Sequence, residues 1–488
     1  MKRNRFNLSH KVSFSCDQGE LIPCSLVEVL PGDVFRMGTS ALIRLSPMLA
    51  PIFSQMTVSV FQFFVPHRII WTDFEDFITG GEDGEDASVF PTITFATGPA
   101  VGSLSDYLGV PPGVNGIEVS ALPFRAYAQI YNDWFRDQDL QSKLVLSKAS
   151  GADVTTSTVL KNINWEKDYF TVARPFEQKG PQVTIPIGTT APVVSQAPHT
   201  PLFSTPTGIS GIQATAGSGA MTFNAAQGVS ATATWSDPNL VADLSSVTGI
   251  PVSELRLALS LQRFEEISAR YGSRYVEYLM SRFGVRSSDA RLQRAELLSR
   301  SREVVQISEV LQTGEGTDPV GSLRGHGISA MRGNRFLRFF EEHGYVMTLF
   351  AVQPRTMYVQ GLERTWNRRD KYDFFQQETA HIGQQEILNK ELYAAAADPD
   401  GVFGWVDRYE EYRRQWSRVA GEFRTSSLDF WHQARIFSSK PALNSAFVTS
   451  NPTERNFAVP SEDVLWITAN HSVQARRAIP RRATSFIK

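Results

Sequence analysis

The residues able to ligate a metal or pass a proton are few and dispersed in this chain. Eight histidines are scattered along 488 residues. No HExxH, no HxH and no His/Cys cluster sets two ligands on one face of an element. Cys16 and Cys24 are separated by seven residues, which fits neither a CxxC redox pair nor a zinc ligand set, so two reduced thiols are expected. The run GGEDGED at 80–86 gathers Glu82, Asp83, Glu85 and Asp86 between glycines. It lacks the ligand spacing of an EF-hand calcium loop and reads as a solvated acidic turn. Glu265 with Glu266 and Glu341 with Glu342 sit in charged contexts, as solvated or salt-bridged faces do. A GxSxG elbow, a P-loop and a dinucleotide-binding glycine pattern are all missing. The expectation is a protein with no enzymatic activity, no cofactor and no metal.

Charge placement is more informative. The sequence carries a formal net charge of -2, with 42% hydrophobic and 11% aromatic residues. That composition supports a sizeable core and excludes global disorder or a surface basic all round. Its ends differ from its body. Lys2, Arg3, Arg5 and Lys11 open the chain, and Arg476, Arg477, Arg481, Arg482 and Lys488 close it with no acid after Asp463. These read as basic tails, 1–11 and 471–488, on a near-neutral body. Between Gly180 and Ser236 there is no Asp, Glu, Lys or Arg. The N-terminal residues are followed by no apolar signal region, and no run long enough to span a bilayer occurs, so neither secretion by a standard signal nor membrane insertion is expected.

The elements that must position these residues are mainly β. MTVSVFQFFVP (56–66) puts Val58, Val60 and Phe64 on one face, and ELIPCSLVEVLPGDVF breaks at a Pro-Gly turn. HGYVMTLFAVQP (343–354) is apolar on both faces, as a strand between two layers is. LPFRAYAQIYNDWFRDQDL (122–140) predicts a helix with Phe124, Tyr127, Tyr131 and Trp134 as a core stripe. A second helical region runs from Pro251 to about Phe283, with Leu257, Leu261 and Phe264 on one side, divided at Gly272 and ended at Gly284. HIGQQEILNKELYA also reads as helical, and the last hundred residues as short strands. Gly321 to Phe340 carries Arg324, Arg332, Arg335 and Arg338 without an acid. Strands at both ends with helices and loops between them predict one β-sandwich with greatly enlarged connections.

Several long strings, in order, resemble segments of the major capsid proteins of microviruses, the small tailless single-stranded DNA bacteriophages, and most closely the gokushovirus type. They include LSHKVSFSCDQGELIPCSLVEVLPGDVF, FFVPHRIIW, LPFRAYAQIYNDWFRDQDLQ, RPFEQKGPQVTIPIG, FGVRSSDARLQRAELL, HGYVMTLFAVQPRTMYVQGLERTWNRRDKYDFF and FGWVDRYEEYRRQWSRVAGEFR. The sequence departs from that pattern at Ser288, where the family usually has Pro, and at Ala295-Glu296-Leu297, where it has Pro-Glu-Tyr.

The resemblance implies a viral jelly roll with large helical and loop insertions, assembling as a T=1 icosahedral shell around circular single-stranded DNA in the host bacterial cytoplasm. It implies as partners copies of the chain itself, the genome, a small basic DNA-binding virion protein, a DNA pilot protein and a host surface receptor. It also places an insertion forming threefold protrusions after the TIP strand, here 188–236, with 237–340 as a helical and loop insertion. An uncharged segment suits a threefold axis, where a charge would meet two copies of itself. Ile209, Gly211, Ile212, Gly217, Gly219, Met221 and Phe223 are the candidate protrusion and receptor residues. The apolar members make the segment unlike a flexible linker. Lys2, Arg3, Arg5, Lys11, Arg476, Arg477, Arg481, Arg482 and Lys488 are the candidate DNA contacts. The competing class is a free jelly-roll carbohydrate-binding adhesin, which would have no use for basic ends.

Overall fold

The computed structural model describes residues 3–83, 85–181, 183, 193–195, 202–205, 208–214, 221–223, 234–237, 240–242, 252–272, 274–314 and 320–481. Two compact units divide the chain: Met1–Glu177 with Ile267–Lys488, and Gln178–Glu266.

The larger unit is a β-sandwich. Its strands are β1 (Asn4–Asn7), β2 (His10–Cys16), β3 (Ile22–Val29), β4 (Val34–Leu45), β5 (Met56–Pro66), β6 (Glu296–Val304), β7 (Gln306–Leu311), β8 (Leu323–Phe339), β9 (Gly344–Pro354) and β10 (Leu465–Arg477). One sheet has six strands in the order β1-β10-β4-β8-β7, with β2 on the same side of β10 as β1. The facing sheet has four, in the order β6-β5-β9-β3. All these pairings are antiparallel.

Period-two patterning sends Ile43, Leu45, Val58, Val60, Met331, Phe350, Val352 and Ile467 into the space between the sheets. Phe35, Met37, Phe64, Phe336, Val346 and Val473 fill its other end. β5 is buried along its whole length, and β9 at every residue but half-buried Tyr345, because the four-stranded sheet is covered on both sides. Its outer residues Phe61, Phe63, Met347 and Leu349 pack beneath α1 (Leu122–Ile130), which contributes Phe124, Tyr127 and Ile130. Among the described residues the six-stranded sheet has no such cover, as the exposed alternate residues of β4 and β8 show.

Several expectations meet a different outcome. The helix expected over 122–140 gives way to a π-helical turn at Tyr131–Phe135, and residues 136–140 are not helical. α2 (Val252–Tyr271) and α3 (Tyr275–Phe283) form as expected, each followed by a left-handed glycine, Gly272 at φ 88° and Gly284 at φ 64°. Leu257, Leu261 and Phe264 stay exposed. Residues 237–340, expected as a helical and loop insertion, are sandwich strands from Glu296 onward. Gly325, Gly327 and Ser329 at inward positions of β8 hid that strand, because small residues leave no apolar alternation to read. In HIGQQEILNKELYA, Gln384–Leu388 is a strand paired with Val402–Asp407, and only Asn389–Leu392 makes a helical turn. Pairing with a distant segment overrode local helix preference there. From 393 to 481 the chain is mostly loops and short 3-10 turns, apart from Val402–Asp407, the helical turn Ser445–Val448 and β10.

The smaller unit holds the uncharged stretch. Leu202–Thr205 lies between Gly208–Ala214 and Thr234–Asp237, and Met221–Phe223 pairs on Gly208–Ala214. Val193–Ser195 pairs with Leu240–Ala242.

A polar band interrupts the sandwich core. His471, fully buried, shares a 3.0 Å hydrogen bond between Nδ1 and Thr39 Oγ1, and Gln62 Nε2 donates to the same hydroxyl at 3.1 Å. The His471 ring stacks on His10 with centroids 5.0 Å apart. Burial, with His10 beside it, brings the His471 pKa down to about 4. The folded value is depressed, so the contribution of the neutral ring is complete above about 6.5 and is lost as pH falls toward 4. That is on the order of 3 kcal/mol. His67, also held near 4 by burial, acts in the same direction. A His471→Gln chain should therefore lose less stability than its parent between pH 7 and pH 4.5 in urea titrations; identical losses would refute the assignment.

Candidate nucleic-acid interface

The uncovered face of the six-stranded sheet is built from alternate residues of six strands, and strand register decides which side chains share it. Arg5 lies opposite Arg476, and Arg476 opposite Val34, which lies opposite Phe339. Next along the strands come Asn7, Gln474, Arg36 and Leu337, then Ser472, Gly38 and Arg335. Lys11, Asn470, Ser40 and Arg332 form another row, and Ser15, Trp466, Arg44 and Ile328 a further one. Arg324 sits near the far end, beside Val310.

Within the six strands, Glu309 is the one carboxylate. It lies opposite buried Gly325, which points to the other side of the sheet. Lys11, Arg36, Arg44, Arg332, Arg335 and Arg476 are exposed and have no ion-pair partner among the described residues. Gly38 makes room for one of them: a Cβ there would lie 2.5 Å from Cγ of Arg335. Apolar side chains interrupt the cationic surface. Trp466 is 48% exposed, and Leu337 and Phe339 are exposed as well. Arg3 places its guanidinium carbon 5.3 Å from the centre of the Phe339 ring.

The residues read as two basic tails are therefore brought together. β1 pairs with the end of β10, and Arg5 Nε donates to Gln474 Oε1 at 3.1 Å. Arg477 stands apart from the other candidates. It turns inward, pairs with fully buried Asp33 at 2.9 Å and lies over the Phe35 ring. Arg338 is likewise engaged, by Glu296 at 3.0 Å. Arg481 is exposed, whereas Lys2, Arg482 and Lys488 lie outside the described residues.

The candidate protrusion residues Ile209, Gly211 and Ile212 fall on the Gly208–Ala214 strand, with Ile212 opposite Phe223 and Ala214 opposite Met221. Gly217 and Gly219 lie outside the described residues. In the acidic turn, Asp83 accepts from the Glu85 amide at 3.0 Å and Asp86 from the Ser88 hydroxyl at 2.8 Å. No group of three or more metal-ligating side chains converges among the described residues. None of their helices is long and apolar enough to cross a membrane.

A family described as capsid protein (F protein) matches residues 1–487. The chain belongs to that family. The capsid protein is 38% identical to capsid protein VP1 of Bdellovibrio phage phiMH2K, covering 94% of this chain and 90% of the relative. It is 34% identical to capsid protein VP1 of Spiroplasma virus 4, with 94% and 90% covered. For capsid protein VP1 of Chlamydia phage 1 the identity is 32%, with 95% and 92% covered. These relatives are of the gokushovirus type, so the resemblance read from the quoted strings holds. The family is one of structural capsid proteins, not of enzymes.

Sequence reasoning missed Arg36, Arg44 and Trp466. A signal was present: in VFRMGTSALIRL both arginines fall at even positions between apolar odd ones, which is the pattern of an uncovered strand face.

Proposed function

We propose that copies of this capsid protein close into a T=1 icosahedral shell around a circular single-stranded DNA genome, assembled in the host bacterial cytoplasm. The observation that carries the reading is the inequality of the two sheets. One is roofed by α1 and its neighbouring loops, while the other is bare and cationic. A shell subunit needs such a difference, because one side meets the polyanionic genome and the other meets solvent and host. Strands β2, β10, β4 and β8 facing β3, β9, β5 and β6 suit the jelly-roll connectivity of viral shells.

In this reading residues 188–236, within the Gln178–Glu266 unit, supply the threefold protrusion and the host receptor contact. The basic ends support DNA binding, with the small basic virion protein and the pilot protein as further partners. Arg477 is assigned to the fold instead, through Asp33.

Sedimentation of a nuclease-treated lysate, with each fraction probed for protected single-stranded DNA, tests the shell. Protein and DNA running together far below the monomer position is the expected result. A monomer or trimer without DNA would overturn it in favour of a free adhesin. Gly211→Glu should hinder particle formation or infectivity while leaving the subunit soluble, since three like charges would meet at the axis. Normal infectious particles would remove the threefold assignment.

A further inference from the structure

We infer that the acidic lobe between Asp73 and Phe90 of one copy seats in a cationic cavity beside α1 of a second copy, and that the two copies exchange lobes about a twofold axis. The inference rests on the shell reading, since it names one of the contacts that a closed shell needs. It concerns the roofed side of the sandwich and makes no use of the bare sheet.

The cavity holds about 850 Å³ and lies between the π-helical turn that ends α1 and the start of α3. Five cations line it, Arg136, Lys143, Lys148, Arg274 and Arg294, against the single carboxylate of Asp133. That carboxylate is already engaged, by Gln129 Nε2 at 2.8 Å and the Ala295 amide at 3.1 Å. Arg294 pairs with Asp289 at 3.4 Å. Arg274 donates to the backbone carbonyls of Asp133 at 3.1 Å and Arg136 at 2.7 Å, which leaves its charge uncompensated. Lys143 and Lys148 are exposed and, like Arg274, form no ion pair among the described residues. A concave site with such an excess of positive charge draws in an anion. Leu144, Tyr275 and Leu292 give it apolar walls as well.

The lobe has the opposite character. Residues 73–90 carry seven carboxylates and no Lys or Arg. Glu75 alone has a cation among the described residues, Arg68 at 3.5 Å, and Glu82, Asp83 and Glu85 are exposed. Ile78 is 53% and Val89 64% exposed, and Phe77 and Phe90, with ring centres 6.1 Å apart, are exposed beside them. Apolar groups set among unpaired acids are the counterpart of a cationic cavity with apolar walls. Position adds the symmetry. Arg68 pairs with Glu75 of the lobe and donates to Gln293 on the cavity wall, and the Thr72 amide donates to the Lys148 carbonyl at 3.0 Å. Lobe and cavity therefore stand side by side. A second copy turned by 180° brings each lobe to the other's cavity, so one contact is made twice, as in an isologous pair.

The test uses the full-length protein, with association read as the dimer dissociation constant in analytical ultracentrifugation and as particle yield. Glu82→Lys/Glu85→Lys should weaken association by at least about 10-fold, and Lys143→Glu/Lys148→Glu by a similar factor, since each reversal sets like charges together twice per pair. The two sets combined should return association to within about 3-fold of the parent, which lost folding cannot do. Carbodiimide, which joins carboxylates to amines, should give a covalent dimer on denaturing gels from the parent and not from Lys143→Gln/Lys148→Gln. A ladder of higher oligomers would overturn the twofold pairing. Reversals that leave association at the parental value, or that fail to rescue each other, would overturn the contact. Parental particle yield from Lys143→Glu/Lys148→Glu with lost adsorption to host cells would assign the cavity to a host-surface polyanion instead. Protein and DNA could still sediment together in each of these cases, so failure of the contact is distinct from failure of the shell.

Discussion

An Arg125→Ala chain should lose about 3 to 5 kcal/mol of folding stability, out of a total on the order of 5 to 15. Arg125 of α1 and Asp153 are both 0% exposed and meet at 2.8 Å. The guanidinium also donates to the backbone carbonyls of Ile70 at 3.3 Å and Ala149 at 2.9 Å. Asp153 in turn accepts from the Thr156 hydroxyl at 2.6 Å and from the amides of Thr155 and Thr156. Burial alone would raise the Asp153 carboxyl; the Thr156 hydrogen bonds and Arg125 outweigh it and hold it below its usual value. Truncating Arg125 leaves that carboxylate buried without a cation and two carbonyls without donors. The roof over the four-stranded sheet depends on this knot, because Ile70 and α1 both pack on the sheet's outer face. Urea unfolding and soluble yield are the measurements. The double variant Arg125→Met/Asp153→Leu should recover part of the loss, since removing both charges strands neither. A single variant that unfolds with its parent would show the pair to be dispensable.

The second large effect is loss of stability on the alkaline side. Asp17, just after β2, stands beside Glu454, in the loop before β10, and the two carboxyl groups hold a proton between them, which raises the Glu454 carboxyl. Glu20 and Asp463 stand close enough to add their charge, and the Glu20 carboxylate also accepts from the Asp17 amide at 3.0 Å. Burial first, then the neighbouring negative charges, pushes both Glu20 and Glu454 up to about 7. These folded values are raised, so the stability of the protonated cluster is complete below about 4.5 and is lost as pH rises through about 7. Partial exposure screens the effect, leaving on the order of 1 to 2 kcal/mol for each carboxyl. The consequence is a weakened tie between β2 and the loop leading to β10 at alkaline pH. Glu454→Gln keeps a donor for Asp17 at every pH, so its melting temperature should fall less between pH 5.5 and pH 8 than that of its parent. Parallel melting curves across that range would sink the shared-proton account. His471 acts in the opposite direction below pH 6.5, so the pair of variants should move opposite limbs of the stability profile.

The two effects concern different parts of one asymmetric sandwich. Arg125 secures the covered sheet, whereas the carboxyl cluster secures the terminal strands of the bare one. Arg125 lies away from the cationic face, whereas Asp463 of the cluster accepts from the Ser15 hydroxyl at its edge. Substitutions on that face should alter DNA binding with little effect on either stability limb, since Arg36, Arg44 and Arg332 are exposed and make no ion pair among the described residues.

What the sequence determined by itself was whatever local periodicity and long ordered strings encode. β-branched and aromatic texture marked β3 and β5, and a two-sided apolar run marked β9 as a strand between layers. Glycines at 272 and 284 marked helix ends because only a residue without Cβ takes a left-handed conformation cheaply. The strings from FFVPHRIIW to FGWVDRYEEYRRQWSRVAGEFR pointed to the capsid family. The tertiary structure alone decided which strands are neighbours. Arg5, Arg36, Arg332 and Arg476 are hundreds of residues apart in places, and they share a surface only because β1, β10, β4 and β8 pair in that order. Pairing also decided against local preference at Gln384–Leu388, and it separated Arg477 from Arg476, since adjacent residues on a strand face opposite sides. Backbone hydrogen bonding between distant segments leaves no local trace in the chain. For that reason a cationic face assembled from six strands could be read from its register and not from its spacing.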